Sequence, residues 1–200
     1  MMRRLLYCAL FGAALLASAA SAGQSRRPDL AGQTVVTEKG GRKLTREYAK
    51  NGQLVYEVIE KEGSLNGSSA LEATEREWSV DGKPLRDQTF LNGKEIQGKT
   101  WYMNGKVKEM RQDQSRHEPG GPPGTYVERF SDLGVLLSAG VYQGQFRPVG
   151  VHREYDENGA LKREITYGAN GERLAEKTFD GSGAQTSGAS YYPDGSRKLD

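Results

Sequence analysis

The hydrophobic positions of this chain alternate, but poorly. In LKREITY (161–167), Leu161, Ile165 and Tyr167 share a face with Arg163. In ERLAEKTF (172–179), Leu174 shares a face with Glu176. A period of two predicts strands, but a strand of a sandwich would bury one clean apolar face. These strands are expected to be wetted on both sides. Nothing after the first 22 residues carries convincing helical spacing. ALEATEREWS (70–79) has helical propensity, yet its place before Trp78 predicts a strand.

Turn signals divide the strands at regular intervals. All six asparagines (Asn51, Asn66, Asn92, Asn104, Asn158 and Asn170) precede a glycine. Asn-Gly between alternating runs predicts a hairpin with a type I′ turn, whose two central residues both need positive φ. Asp81-Gly82, Asp180-Gly181 and Asp194-Gly195 read as equivalent turns. The aromatics repeat with the turns. Tyr48 lies four residues before Gly52, and the same spacing joins Trp78 to Gly82, Trp101 to Gly105 and Phe130 to Gly134. It recurs from Tyr155 to Gly159, Tyr167 to Gly171 and Tyr191 to Gly195. Most intervals between these glycines are about 23 to 30 residues, a period that marks a repeat array.

These observations predict an all-β chain of about thirteen strands with almost no helix. Its form is an elongated antiparallel β-meander, a single-layer repeat sheet of stacked hairpins. Equivalent aromatics are expected along one face, where cross-strand pairs contribute roughly 0.2–1 kcal/mol each. DQSRHEPGGPPG (113–124) has the composition of a linker. It occupies the slot of a repeat turn, and strand-like segments flank it. It is expected to be an enlarged Pro/Gly loop inside one continuous sheet, with a linker between two domains as the alternative.

The chain resembles the MORN-variant repeats of the YwqK-type antitoxin family. FLNGKEIQGKTWYMNGKV (90–107) and YQGQFRPVGVHREYDENGAL (142–161) carry the resemblance. The first is about two residues short between Gly98 and the next Asn-Gly, and the second has Gln-Gly where the family has Asn-Gly. The resemblance runs loosely from about Tyr48 to the C-terminus. It implies a β-repeat architecture and, as one expectation, an antitoxin role.

The first residues change the picture of where the protein acts. Arg3 and Arg4, the apolar run Leu5 to Leu16, and Ala20-Ser21-Ala22 follow the order of a secretory signal peptide. Residues 1–22 are expected to be a signal helix cleaved after Ala22. Residues 23–33 are expected to form a disordered tail, and 34–200 the repeat domain. The protein is then periplasmic or secreted. Cys8, the lone cysteine, leaves with the leader, so no disulfide or Cys-based metal site is expected. Without Arg3 and Arg4, 26 basic residues balance 26 acidic ones. A neutral chain with interspersed charges is not expected to bind nucleic acid.

Candidate chemistry is sparse. His117 lies in the Pro/Gly loop, and His152 lies on a strand where alternation predicts solvent exposure. Metal, phosphate-loop and nucleophile-elbow spacings are missing from the sequence, so neither cofactor nor catalytic residue is expected. The turn glycines Gly52, Gly82, Gly105, Gly134, Gly159, Gly171 and Gly195 are assigned to the repeat. The aromatics are either repeat packing or, in part, a partner surface centred on Trp78 and Trp101, with Tyr155 and Arg153 added. Arg76 and Arg129 also lie close to repeat aromatics. Trp, Tyr and Arg are the residue types enriched in binding hot spots. The expected function is an exported, non-enzymatic, monomeric protein-binding module, with a toxin as one partner. The alternatives are an envelope-associated binder of glycan or lipid head groups, touching membrane only peripherally, and a purely structural repeat protein.

Overall fold

A computed structural model describes residues 31–65, 67–144 and 146–199. The expected leader and most of the expected tail lie outside the described residues. Among the described residues, thirteen strands form one antiparallel sheet in chain order. They are β1 (Ala31–Lys39), β2 (Arg42–Ala49), β3 (Leu54–Leu65), β4 (Ser68–Trp78), β5 (Pro84–Leu91), β6 (Lys94–Trp101) and β7 (Val107–Asp113). After the one-turn helix α1 (Gln114–His117) come β8 (Thr125–Phe130), β9 (Leu136–Gln143), β10 (Arg147–Tyr155), β11 (Leu161–Tyr167), β12 (Arg173–Phe179) and β13 (Gln185–Ser190). β1 begins at Ala31, inside the segment expected as tail. ALEATEREWS is a strand, as its place in the repeat predicted.

The commonest turn is not the one that Asn-Gly predicted. In Ala49-Lys50-Asn51-Gly52-Gln53, the Ala49 N–H donates to the Gln53 carbonyl and the Gly52 N–H donates to the Ala49 carbonyl, both at 2.8 Å. This is a three-residue hairpin loop, a type I turn followed by a glycine in the left-handed region. Gly52 has φ +82°, while Asn51 is not among the residues with positive φ. The same pair of bonds recurs at Gly82, Gly105, Gly134, Gly159, Gly171, Gly183 and Gly195. Only Asn92-Gly93, with φ +50° and +79°, has both residues on the positive side among the described Asn-Gly pairs.

Asn51 and Asn104 serve instead as hydrogen-bonding groups. Asn51 Oδ1 accepts from the Gln53 N–H at 3.1 Å, and Asn104 Oδ1 accepts from the Lys106 N–H at 3.0 Å. In other turns the residue three before the glycine does this work. Ser79 Oγ accepts from Lys83 N–H at 3.1 Å, and Asp156 Oδ1 from Ala160 N–H at 2.9 Å. The asparagine amides also tie hairpin to hairpin: Asn51 donates to the Val80 carbonyl and Asn104 to the Asp132 carbonyl, at 3.1 and 2.7 Å.

Each three-residue turn between named strands is paired with a break in register. Between β2 and β3, Glu47 faces Tyr56 but Tyr48 faces Leu54, so one residue is extra. The shift falls at the aromatic again at Trp78, Trp101, Phe130 and Tyr155. Up to β10 these turns close one end of the sheet, because a meander alternates ends. From Gly159 onward both ends use them, so the glycine spacing drops to twelve. This brings in Gly183, which the sequence reading passed over in favour of Gly181. Gly183 has φ +83°, whereas Gly181 is not on the positive side.

The 113–124 segment is fastened to the sheet, which remains continuous across it. Asp113, the last residue of β7, pairs with Lys94 and caps α1 by accepting from the Ser115 N–H at 3.1 Å. The Lys94 and Ser115 hydrogen bonds hold its carboxyl down at about 2. Gln114 N–H donates to the Gly124 carbonyl at 2.9 Å, and Gln143 reaches the Pro123 carbonyl at 2.7 Å. Deep burial is scarce. Among the described residues the buried apolar side chains are Ala49, Val55, Tyr56, Val127, Ala139, Val141, Val149 and Ile165.

The turn assignment has a direct test. Both Gly181 and Gly183 have open space where a Cβ would go. Gly183→Ala is expected to weaken the β12–β13 hairpin by about 1 kcal/mol, because an L-residue is strained at that φ. Gly181→Ala is expected to be nearly neutral. Amide exchange in β12 and β13 reads the difference.

Candidate functional site

The register places side chains in rows that cross the strands. On one face, here the first, Arg46, Glu57, Arg76, Asp87 and Lys99 stand directly opposite one another on β2 to β6. Their charges alternate. Arg46 Nε lies 2.8 Å from Glu57, and Arg76 bridges Glu57 and Asp87 at 3.2 Å each. The row resumes with Arg153, Glu164 and Lys177 on β10 to β12, at 3.2 and 3.5 Å. The second face repeats one pair: Glu77–Arg86 at 3.3 Å, Glu109–Arg129 at 3.0 Å and Glu154–Arg163 at 2.8 Å. Exposed pairs contribute little singly, roughly 0.2–1 kcal/mol. Glu57 is the exception in kind, because its side chain is only 7% exposed and two guanidinium groups compensate its burial.

Trp78, Trp101 and Tyr155 lie two residues beyond Arg76, Lys99 and Arg153 on their strands, so all belong to the first face. The structure does not gather them into one patch. Trp78 and Trp101 end β4 and β6, two strand spacings apart, about 10 Å. Tyr155 and Arg153 are four strands further on. Arg153 and Arg76 are engaged by carboxylates, and Arg129 on the second face donates to Glu109 and, at 3.0 Å, to the Tyr142 hydroxyl. Trp101 has the more developed surroundings. A shallow recess of about 300 Å³ is lined by Thr74, Arg76, Asp87, Thr89, Gln97 and Trp101, among others, with Lys99 Nζ 5.9 Å from the indole centroid.

A larger groove lies on the second face and was not anticipated. It measures about 580 Å³. Leu71, Ala73 and Phe90 give it an apolar strip, and Arg42, Lys43, Arg86, Glu38, Glu60, Glu62 and Glu75 surround them. Its lining spans β1 to β5 and the Gly41 and Gly93 turns. No local motif could have shown it, because the residues meet only through strand order and register.

His152 is not exposed as alternation predicted; it is 7% exposed. A bulge in β10 lets three residues, 150 to 152, pass a single residue of β9, Gly140. The imidazole lies over that glycine, where a Cβ would sit 2.4 Å from Nδ1. Tyr142 and Tyr167 meet it in T-shaped contacts at 4.8 and 5.0 Å, and Nε2 is 2.8 Å from the Val141 carbonyl oxygen. Burial is the main cause of a lowered pKa, and Arg129 adds to it against the carbonyls of Val141 and Val149. His117 stacks flat on Tyr126 at 3.6 Å. Burial, then Glu128, pushes the Tyr126 hydroxyl up to about 12. Among the described residues, His, Cys, Asp and Glu form no group of three suited to a metal ion.

Comparison with known proteins identifies a MORN repeat variant at residues 148–168, which takes in most of β10, the Gly159 turn and β11. No curated protein matches the chain. One similar solved structure, "Crystal Structure of TarM", shares 15% sequence identity over 54% of this chain, with a TM-score of 0.31. The match covers 19% of that chain.

The buried imidazole predicts a pH dependence. The unfolded chain takes up the proton near 6.5 and the folded chain only at lower pH. Its contribution to stability is thus present above 6.5 and is lost as pH falls toward the lowered value. Urea unfolding of wild type and His152→Gln from pH 7.5 downward should give a difference that narrows as the solution is acidified. A constant difference would contradict the assignment.

Proposed function

We propose that the protein is an exported, non-enzymatic binding module whose partner is another protein. The observation that carries this reading is the single-layer form of the sheet. It presents two long faces of side chains, and the recesses described on them are open grooves rather than enclosed reaction chambers. Tethered charges in rows suit recognition of a complementary protein surface, because charge pattern sets register and suppresses wrong partners. The MORN repeat variant supports the reading at the level of a repeat module used in binding. Trp101 is the proposed anchor, with Trp78 two strands away on the same face, since an indole in a recess rimmed by Arg76, Asp87 and Lys99 combines apolar area with polar contacts. An antitoxin or immunity role is the narrower form of this proposal. It is drawn from the family resemblance.

The test is capture followed by direct binding. The protein is immobilised against envelope and secreted extract of its own organism, with Trp78→Ala/Trp101→Ala as the control. One species is expected on wild type and not on the control. That species, purified, is expected to bind at least about tenfold more weakly to the double variant, a loss of 1.4 kcal/mol. Suppression of its toxicity on co-expression would support the narrower role. Equal binding to both forms would overturn the Trp-centred surface.

A further inference from the structure

The two ends of the sheet differ. Beyond β13 the chain turns back at 192–196. Tyr191 bridges Arg197, and the Lys198 N–H donates to the Ser190 carbonyl at 2.8 Å. That edge is partly occupied by its own chain, and β13 itself reads QTSGAS, a weak strand-former. At the other end β1 has β2 as its only strand neighbour among the described residues. Its outer side offers a row of N–H and C=O groups, the feature that natural proteins usually blunt with proline, charge or a bulge. β1 blunts little. Its bulge lies between Ala31 and Gln33, and from Gln33 to Lys39 its register with β2 is unbroken. The centre of that run is Thr34-Val35-Val36-Thr37, four β-branched residues without a charge. Val35 and Val36 are 36% and 45% exposed, one toward each face.

We infer that β1 pairs with β1 of a second copy of this chain, antiparallel across a two-fold axis at Val36. Val36 is the midpoint of the unbroken run, so this register pairs Gln33–Lys39 of one copy with the same seven residues of the other. Two-fold symmetry about an axis perpendicular to the sheet keeps first face with first face. Charge agrees with this register. The acid and base of the run, Glu38 and Lys39, lie at one end, and antiparallel pairing sets them against Thr34 and Gln33 of the partner copy. A parallel arrangement would bring the like charges of the two copies together. The dimer joins the two sheets into one, with β1 no longer an edge, and is proposed in place of the monomer expected from the sequence. It stands independently of the Trp-centred surface, which lies on β4 and β6.

A charge exchange at the axis tests the pairing. Val36→Lys and Val36→Glu each place like charges directly opposite one another, which destabilises a cross-strand pair. Each is read by sedimentation equilibrium beside the wild type, with circular dichroism as the check that the sheet is intact. The wild type is expected to be a dimer. Each variant alone is expected to raise the dimer dissociation constant at least about tenfold, or 1.4 kcal/mol. A one-to-one mixture of the two is expected to recover a heterodimer, because lysine then faces glutamate. A monomeric wild type, a dimer indifferent to both variants, or a mixture that stays monomeric would each overturn the proposal.

Discussion

Each three-residue hairpin turn holds one glycine in the left-handed region, and this conformational constraint governs the sheet. The glycine closes the type I turn, and the extra residue that follows it in the return strand sets the new register. The same device recurs at alternate hairpins from Gly52 to Gly159 and at every hairpin from there to Gly183, and it sets the register of each strand pair that it joins. A slip of one residue would carry every side chain of a strand to the opposite face. A two-sided polar sheet is the kind most prone to such slips, since no buried face penalises them. The turns supply the missing specification. Asn51 and Asn104 reinforce it by linking neighbouring turns along one end.

With register fixed locally, the strands do not need a second layer. Few side chains are deeply buried, and polar ones are among them: Glu47, Glu57, Glu75, Asp113, Gln114 and His152. Cohesion comes from the backbone ladder and from many small cross-strand terms, of which the alternating row from Arg46 to Asp87 is the clearest. Each term acts between adjacent strands, so stability is a nearest-neighbour property along the array. The functional consequence follows from the same geometry. A chain that spends few residues on an interior exposes nearly all its chemistry on two faces and at its edges. That is a surface for display and contact.

The sequence disclosed what is local. Glycines at fixed distance from aromatics announced the turns, poor alternation announced the wetted strands, and the strand-like flanks of 113–124 announced an inserted loop. What it concealed depends on neighbours distant in the chain. The conformational preference of Asn-Gly holds at Asn92-Gly93, but at Asn51 and Asn104 the side chain's role is hydrogen bonding, to Gln53, Val80 and Asp132 among others. Gly183 was missed because Asp180-Gly181 is the stronger dipeptide signal, yet the Phe179-to-Gly183 spacing was there to be read. His152 is buried because β9 supplies Gly140 and Tyr142, and β11 supplies Tyr167, none of which alternation within β10 reveals. Of the candidate surface, the shared face of Trp78, Trp101, Tyr155 and Arg153 was legible. Their separation across the strands was not, because it depends on which strands carry them.

A sheet with little apolar interior must be held by its turns and cross-strand pairs. Differential scanning calorimetry of the purified protein tests it through the heat capacity of unfolding, which reports apolar surface newly exposed to water. Domains with an ordinary core give about 12–15 cal/mol/K per residue. For a single-layer sheet the value is expected to lie clearly below that range. A value within it would mean that the strands bury a conventional apolar core and are not a single layer held by turns.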